Sequence, residues 1–206
     1  MNKKTEKERT IEFFTQKVLE HGGGYAAANW GSPAGQSLRF QVLTEISDLD
    51  GRSVLDIGCG CGHLLEYLEK QSITVSYKGW DITPSMIRIA KEKYNRDCFE
   101  ERDIMAGQPP KEPEFDFVFA SGIFYLLRES PYDHIKKMVT RMLAHARLGV
   151  AFNTLSQKAP TKDKDEFYAD PVRILSDCFS LAPRFVIRHD YLKHDFTVYL
   201  LKEGIP

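Results

Sequence analysis

The sequence of 206 residues is poor in cysteine and contains no long apolar run. Its four cysteines, Cys59, Cys61, Cys98 and Cys178, are scattered, so a disulfide framework is not expected. We therefore expect a reducing, cytoplasmic location. The segment Met1–Arg9 is charged and lacks the apolar stretch of a signal peptide. Because no apolar run approaches the length of a membrane span, no membrane partner is expected either.

An excess of charge of one sign is also missing. The 28 lysines and arginines nearly balance the 29 aspartates and glutamates. A protein that binds nucleic acid through its phosphates usually carries a basic stripe, and none is visible here. We therefore expect no nucleic-acid partner. The length suits one domain with a full core, and the oligomeric state cannot be read from the sequence.

The most informative segment present is a glycine-rich turn. An apolar run ends at Asp56 and is followed by Gly58, Gly60 and Gly62 at alternate positions, after which an amphipathic segment begins. This order predicts a strand, a tight turn and the start of a helix. Glycine permits positive φ and close approach of a ligand, and the free N–H groups of the following helix face the same spot.

From residue 53 onwards, strands and helices alternate. The predicted strands are Ser53–Ile57, Thr74–Trp80, Cys98–Glu101, Phe115–Ala120 and Leu148–Thr154, followed by a hairpin of Phe185–His189 and Phe196–Leu201. The predicted helices are His63–Lys70, a helix from Pro84 to about Tyr94, Pro131–Ala146 and a short helix opened by Asp170-Pro171. The alternation predicts an α/β fold, Rossmann-like and doubly wound, with helices on both faces of a mostly parallel sheet.

Residues 1–50 have a helical pattern that is interrupted by Gly22-Gly23-Gly24. Three consecutive glycines indicate a mobile or sharply turned segment. We therefore predict two parts, an N-terminal helical extension over residues 1–50 and a ligand-binding core over residues 51–206.

The pattern Asp56-x-Gly58-x-Gly60-x-Gly62 resembles motif I of class I S-adenosylmethionine-dependent methyltransferases. A nicotinamide dehydrogenase is the rival interpretation, but its G-x-G-x-x-G fingerprint requires a glycine where His63 stands. The resemblance covers about residues 53–202. It implies a seven-stranded sheet whose last strand is reversed, with S-adenosylmethionine as cosubstrate and S-adenosylhomocysteine as product.

The resemblance also implies which residues hold the cosubstrate. Asp81 would accept hydrogen bonds from the ribose, Ile82 and Met86 would line the adenine, and Asp103 with the N–H of Ile104 would meet the adenine edge. The alternative for Asp81 is an exposed acid that precedes a helix. The full set of predicted cosubstrate residues is Trp30, Arg39, Asp56, Gly58, Cys59, Gly60, Gly62, Asp81, Ile82, Met86, Asp103, Ile104 and Ser121.

Three members of that set depend on further reasoning. Asp56 ends a buried strand, where a carboxylate is costly unless N–H groups of the turn or a ligand satisfy it. Family members often use an N-terminal segment as a lid over the cosubstrate. The resemblance implies that Trp30 would cover the cosubstrate in this chain. Arg39 could then pair with its carboxylate, although a solvent-facing arginine is the commoner case.

Two residues are candidates for catalysis. Tyr125 lies in Ser121-Gly122-Ile123-Phe124-Tyr125, where the family's motif IV meets the methyl donor and the acceptor, and His189 lies near the final hairpin. Aromatic rings attract cations such as a sulfonium, and a histidine can act as a general base. Core packing for Tyr125 and a hairpin-turn role for His189 are the alternatives. Cys59, Cys61 and His63 do not match zinc spacing, so no metal is assigned.

We therefore predict a methyltransferase that acts on a small-molecule acceptor. About fifty residues lie outside the core fold, too few for most modules that read RNA or protein targets. Two alternatives remain open at this point. The same pocket could transfer or cyclise the aminocarboxypropyl group of the cosubstrate, or the protein could bind the cosubstrate without turnover.

Overall fold

A computed structural model describes residues 4–203. The N-terminal part contains helix α1 (Glu6–His21), a 3₁₀ turn (Tyr25–Ala28) and helix α2 (Pro33–Thr44). The strands are β1 (Ser53–Ile57), β2 (Ser76–Asp81), β3 (Phe99–Glu101), β4 (Phe115–Ala120), β5 (Ala146–Leu155), β6 (Arg184–Leu192) and β7 (Asp195–Leu201). The remaining helices are α3 (His63–Lys70), α4 (Pro84–Tyr94), α5 (Pro131–His145) and α6 (Pro171–Leu181).

The strands form one seven-stranded sheet in the order β3-β2-β1-β4-β5-β7-β6. Strands β1 to β5 pair in parallel, whereas β7 is antiparallel to both β5 and β6. The predicted Rossmann-like fold with a reversed last strand is therefore confirmed. The chain order reverses direction at β1, and ligands of such sheets bind beyond the carboxyl ends of the strands at that point.

Alternating side chains of the central strands bury opposite faces of the sheet. Leu55 and Val118 pack against α5 and α6, while Val54 and Phe117 pack against α2 and α3. The central strands are thus covered on both faces, as a parallel sheet requires. Within residues 4–203, no helix is long and apolar enough to cross a membrane.

Helix α2 is part of this core rather than part of a separate unit. Its residues Phe40 and Leu43 share a cluster with Val54 and Phe117 of the sheet. Apolar residues on both sides of the predicted boundary at residue 50 therefore bury one another. Only α1 and residues 22–32 remain as candidates for a lid. Residues 1–3 and 204–206, the outer ends of the two predicted parts, lie outside the described residues.

Candidate functional site

The glycine-rich turn connects β1 to α3 in a conformation that favours glycine at three positions. The φ angles of Gly58, Gly60 and Gly62 are +72°, +54° and +81°. The N–H of Gly58 donates to the Trp80 carbonyl at 2.7 Å, which ties the turn to the end of β2. Residues that carry a side chain rarely adopt such φ values, so the conformation of the turn explains the alternate glycines.

Asp81, at the end of β2, closes the turn from the other side. Its carboxylate accepts hydrogen bonds from the N–H groups of Gly60 at 2.9 Å and of Thr83 at 2.7 Å. Burial raises the pKa of Asp81, and these backbone N–H groups oppose the rise. A carboxylate has about four acceptor sites, so two bound N–H groups leave capacity for further donors.

Asp56 is satisfied by a partner that the sequence did not suggest. The hydroxyl of Tyr77, on β2, donates to Asp56 at 2.7 Å. The sequence left open whether N–H groups of the turn or a ligand satisfy this carboxylate, and the Tyr77 hydroxyl is a partner of neither kind. Burial raises the pKa of Asp56 to about 7, although the hydrogen bond from Tyr77 opposes this rise.

A first cavity of about 310 Å³ lies above the glycine turn, at the carboxyl ends of β1, β2 and β4. Most residues predicted to hold the cosubstrate line it. They are Trp30, Asp56, Gly58, Cys59, Gly60, Asp81, Ile82, Met86, Asp103, Ile104 and Ser121. The fold thus brings together eleven positions that span 92 residues of the chain.

Gly62 and Arg39 are the two predicted cosubstrate residues that do not line this cavity. A Cβ on Gly62 would stand 2.7 Å from the ring of Tyr94 and 2.9 Å from that of Phe99. The hydroxyl of Tyr94 also donates to the Gly62 carbonyl at 2.8 Å. Gly62 therefore allows two aromatic rings to pack closely against the start of α3, and it does not line the first cavity.

Helix α1 crosses the first cavity and is attached on both sides of it. The Lys7 ammonium pairs with the Asp103 carboxylate at 2.8 Å. On the opposite side, the Glu6 carboxylate accepts hydrogen bonds from the N–H groups of Arg128 at 2.6 Å and Glu129 at 2.8 Å. Glu6, Lys7, Thr10 and Phe14 all line the cavity.

The three-glycine segment is tied to the start of α3. The Nε2 of His63 lies 2.9 Å from the Gly23 carbonyl. Because a carbonyl only accepts, Nε2 carries the proton. Burial lowers the pKa of His63, so the ring is neutral at pH 7. In the described part of the chain, no group of three or more His, Cys, Asp or Glu side chains is arranged to hold a metal ion.

A second cavity of about 450 Å³ adjoins the first. Ala28, Trp30 and Gly122 line both cavities and form their common boundary. A Cβ on Gly122 would stand 2.8 Å from the Trp30 ring, so glycine allows the indole to rest on the loop after β4. The other residues of this cavity include Asn29, Arg39, Phe124, Tyr125, Asn153, Thr154, Glu166, His194 and Asp195.

Arg39 lies in the second cavity and is already paired. Its Nε donates to the Asp195 carboxylate at 2.8 Å, and both side chains are more than nine-tenths buried. Its Nη1 donates to the Gly35 carbonyl at 3.1 Å, and its Nη2 lies 3.0 Å from Nε2 of His194. Arg39 is therefore separated from the cavity that most of the predicted cosubstrate residues line, and its charge is balanced within the protein.

The two predicted catalytic residues have different placements. Tyr125 lines the second cavity, and its buried hydroxyl lies beside the side chain of Asn29. Burial raises the pKa of Tyr125, so its hydroxyl stays protonated at pH 7. His189 lines neither cavity, because it lies within β6 rather than at the turn and its ring packs against Phe196 at 5.8 Å. Of the two predicted catalytic residues, only Tyr125 therefore lies beside a cavity.

Sequence reasoning missed Asn153, a fully buried residue of β5. Its Oδ1 accepts from the Gly122 N–H at 2.8 Å, and its Nδ2 donates to Ser121 Oγ at 2.9 Å. This amide fixes the loop that separates the two cavities. A polar residue inside an otherwise apolar strand was the available signal.

Comparisons with known proteins agree with this geometry. Residues 54–146 match the family described as Methyltransferase domain. The chain is 31% identical over 164 residues to Rv1506c of Mycobacterium tuberculosis (strain ATCC 25618 / H37Rv), which is named a methyltransferase, and the match covers 76% of this chain and 97% of that protein.

Other relatives carry names that state an acceptor. Identity is 29% over 110 residues to trans-aconitate 2-methyltransferase of Rhodopseudomonas palustris, covering 53% of this chain and 42% of the relative. It is 34% over 110 residues to tRNA U34 carboxymethyltransferase of Photobacterium profundum, covering 50% of this chain and 32% of the relative. The chain thus spans less than half the length of these two relatives.

Solved structures agree on the fold. Magnesium protoporphyrin IX methyltransferase (ChlM) from Synechocystis PCC 6803, crystallised with S-adenosylmethionine, superposes with a TM-score of 0.68 at 15% identity. The superposition covers 98% of this chain and all of that one. The match to the mycobacterial relative shows that the chain belongs to the methyltransferases, and its fold is that of the class I S-adenosylmethionine-dependent methyltransferases.

Proposed function

We propose that the chain methylates a small-molecule acceptor, which binds in the second cavity while S-adenosylmethionine binds in the first. The observation that carries this proposal is the boundary that the two cavities share at Trp30 and Gly122. A volume of about 450 Å³ is within the usual range for small-molecule sites. The near-neutral charge of the chain also favours a small acceptor over RNA.

The residues of the first cavity fit S-adenosylmethionine. Gly58 and Gly60 let a ligand approach the backbone, and Asp81 retains acceptor capacity for the hydroxyls of a ribose. Ile82 and Met86 offer an apolar surface to an adenine. The cosubstrate supplies an electrophilic methyl group on a positively charged sulfur when it is bound.

The residues at the boundary orient and shield the reacting groups. Asn153 holds Ser121 and Gly122 in place, and Trp30 packs on Gly122. This arrangement fixes the position at which a donor in one cavity meets an acceptor in the other, and proximity of this kind accounts for much of the rate of a displacement. The indole ring also packs against the Arg39 guanidinium, which lies 4.9 Å from the ring centroid, so Trp30 is held from the side of the second cavity as well.

Tyr125 orients the acceptor in this scheme rather than removing its proton. A phenol whose pKa is raised by burial is protonated at neutral pH, so it donates or accepts a hydrogen bond but is not a base. Nε2 of His194 accepts a hydrogen bond from Arg39, because an arginine only donates, so the lone pair of this nitrogen is already engaged.

We also propose that α1 and residues 22–32 act as a lid over the first cavity. Helix α1 is held over the cavity by Lys7–Asp103 and by the Glu6 carboxylate, and both contacts are exposed. An exposed ion pair such as Lys7–Asp103 contributes little stability, so breaking this contact to exchange cosubstrate and product costs little.

Asp81→Ala is expected to weaken binding of S-adenosylhomocysteine by about 1.5–3 kcal/mol, because it removes a charged acceptor for the ribose. Isothermal titration calorimetry measures the change. Glu92→Ala, at an exposed position of α4, is the control and should bind like the wild type. An unchanged dissociation constant for Asp81→Ala would mean that this residue only supports the turn.

Methyl-labelled S-adenosylmethionine tests the class of acceptor. After incubation of the protein with cell extract, we expect label in the small-molecule fraction and background label in the RNA and protein fractions. The Asp81→Ala variant should reduce the labelling. Label concentrated in RNA or protein would contradict the proposed acceptor class and leave the methyltransferase assignment intact.

A further inference from the structure

The first cavity contains one buried polar side chain whose hydrogen bonding is incomplete within the protein. Gln36, in the first turn of α2, is 7% exposed, and its Nε2 has no hydrogen-bond partner among the described residues. The side chain lines the first cavity and not the second. A buried donor without a partner costs roughly 1–3 kcal/mol, so such a group calls for an explanation.

The position of α2 indicates which end of a bound cosubstrate Gln36 would meet. Helix α2 packs against β5, β6 and β7, whereas α4 packs against β2 and β3. These two groups of strands lie on opposite sides of β1 in the sheet. Asp81 and Met86, which fit the adenosine, are therefore at the end of the cavity remote from α2. Gln36 is at the opposite end, where the amino-acid portion of the cosubstrate would lie.

The start of α3 adds a second feature that suits an anion. His63 and Leu64, its first two residues, line the same cavity as Gln36. The first N–H groups of a helix have no partner within the helix and carry a partial positive charge. A carboxylate located there can accept hydrogen bonds from these N–H groups and from the Gln36 amide.

A neutral amide is sufficient to bind the carboxylate of the cosubstrate. The amino-acid portion of S-adenosylmethionine carries its own ammonium group, so the carboxylate needs donors more than it needs another cation. The nearest arginine on the helix, Arg39, is three residues later, faces the second cavity and is paired with Asp195. Its guanidinium charge is thus already balanced.

We propose that the Gln36 amide donates a hydrogen bond to the α-carboxylate of S-adenosylmethionine and so selects for the intact amino acid. This inference rests on the proposed placement of the cosubstrate in the first cavity. It assigns to Gln36 the contact that the sequence suggested for Arg39.

The test compares S-adenosylmethionine with its decarboxylated form, which keeps the sulfonium and the ammonium and lacks only the carboxylate. Dissociation constants are measured by isothermal titration calorimetry on the full chain. The variants are Gln36→Met, which keeps the approximate length of the side chain and removes the donor, and Gln36→Glu, which replaces the donor with a negative charge. Gln41→Glu, at an exposed position of the same helix, is the matched control for the charge.

We expect each Gln36 variant to bind S-adenosylmethionine about 10-fold to 100-fold more weakly, the range for a hydrogen bond to a charged group. Gln36→Met should bind the decarboxylated form within about twofold of the wild type, because that ligand never engages the amide. Gln36→Glu should bind the decarboxylated form at least as tightly as the wild type, because the new negative charge attracts its ammonium group. Gln41→Glu should leave both affinities unchanged. If Gln36→Met does not fold, the ratio of the two affinities in Gln36→Glu provides the same comparison.

Equal weakening of both ligands by the Gln36 variants would overturn the inference, because it would indicate a general disturbance of α2. Unchanged or tighter binding of S-adenosylmethionine by Gln36→Glu would overturn it as well. Failure of the proposed placement gives a different result. In that case Asp81→Ala would bind both ligands like the wild type, whatever the Gln36 variants do.

Discussion

Replacing Asp195 with alanine is expected to lower the free energy of unfolding by about 3–5 kcal/mol, the usual cost of removing one partner of a buried ion pair. The substitution leaves the Arg39 guanidinium buried without its counter-charge, and it also removes the acceptor of the hydrogen bond from Tyr191. Urea unfolding followed by circular dichroism measures the change.

The double variant Arg39→Met/Asp195→Leu is the matched control for this prediction. Apolar residues of similar size remove both charges together, so most of the lost stability should return. A double variant that is as unstable as Asp195→Ala would contradict the account, because it would show that packing around these positions dominates.

Gly62→Ala should destabilise the protein by about 2–5 kcal/mol. Positive φ costs a side-chain-bearing residue about 1–2 kcal/mol. The new methyl group also overlaps the rings of Tyr94 and Phe99, and forced overpacking adds about 1–3 kcal/mol. Thermal and urea unfolding measure the effect.

Gly51→Ala separates these two contributions. Gly51 also has positive φ, +72°, but a Cβ there would have no heavy atom within 4 Å. This variant should show the backbone cost alone. Equal destabilisation by the two substitutions would mean that the aromatic packing against Gly62 is loose, contrary to the structure.

Local sequence pattern could predict the fold because it is repeated many times along the chain. Apolar strands such as Phe115–Ala120 and helix starts such as Thr83-Pro84 each carry their own signal, and their alternation fixes the sheet type. The glycine turn predicted the site for the same reason, since positive φ at Gly58 and Gly60 is a local requirement.

Pairings between distant parts of the chain could not be predicted in this way. Arg39 and Asp195 are 156 residues apart, and the chain contains 29 acidic residues with which an arginine could pair. Tyr77 and Asp56 likewise meet only because β1 and β2 are neighbours in the sheet. The sequence therefore identified Arg39 as a candidate but could not predict that Asp195 is its partner.

The direction in which each side chain of α2 points also could not be predicted from the periodicity of apolar residues. Gln36 and Arg39 are three residues apart on α2, yet one lines the first cavity and the other lines the second. The two cavities are separated by Trp30, which comes from a segment without regular secondary structure and rests on Gly122. Such a boundary depends on tertiary packing, which a single sequence does not encode in any short motif.

The central claim is that the two cavities hold the methyl donor and the acceptor on either side of Trp30 and Gly122. A crystal structure of the complex with S-adenosylhomocysteine tests it most directly. We expect the ribose hydroxyls at the Asp81 carboxylate, the α-carboxylate at Gln36, and the sulfur at the boundary with its former methyl direction pointing into the second cavity. A sulfur that points away from the second cavity, or a ligand bound outside the first, would contradict the account.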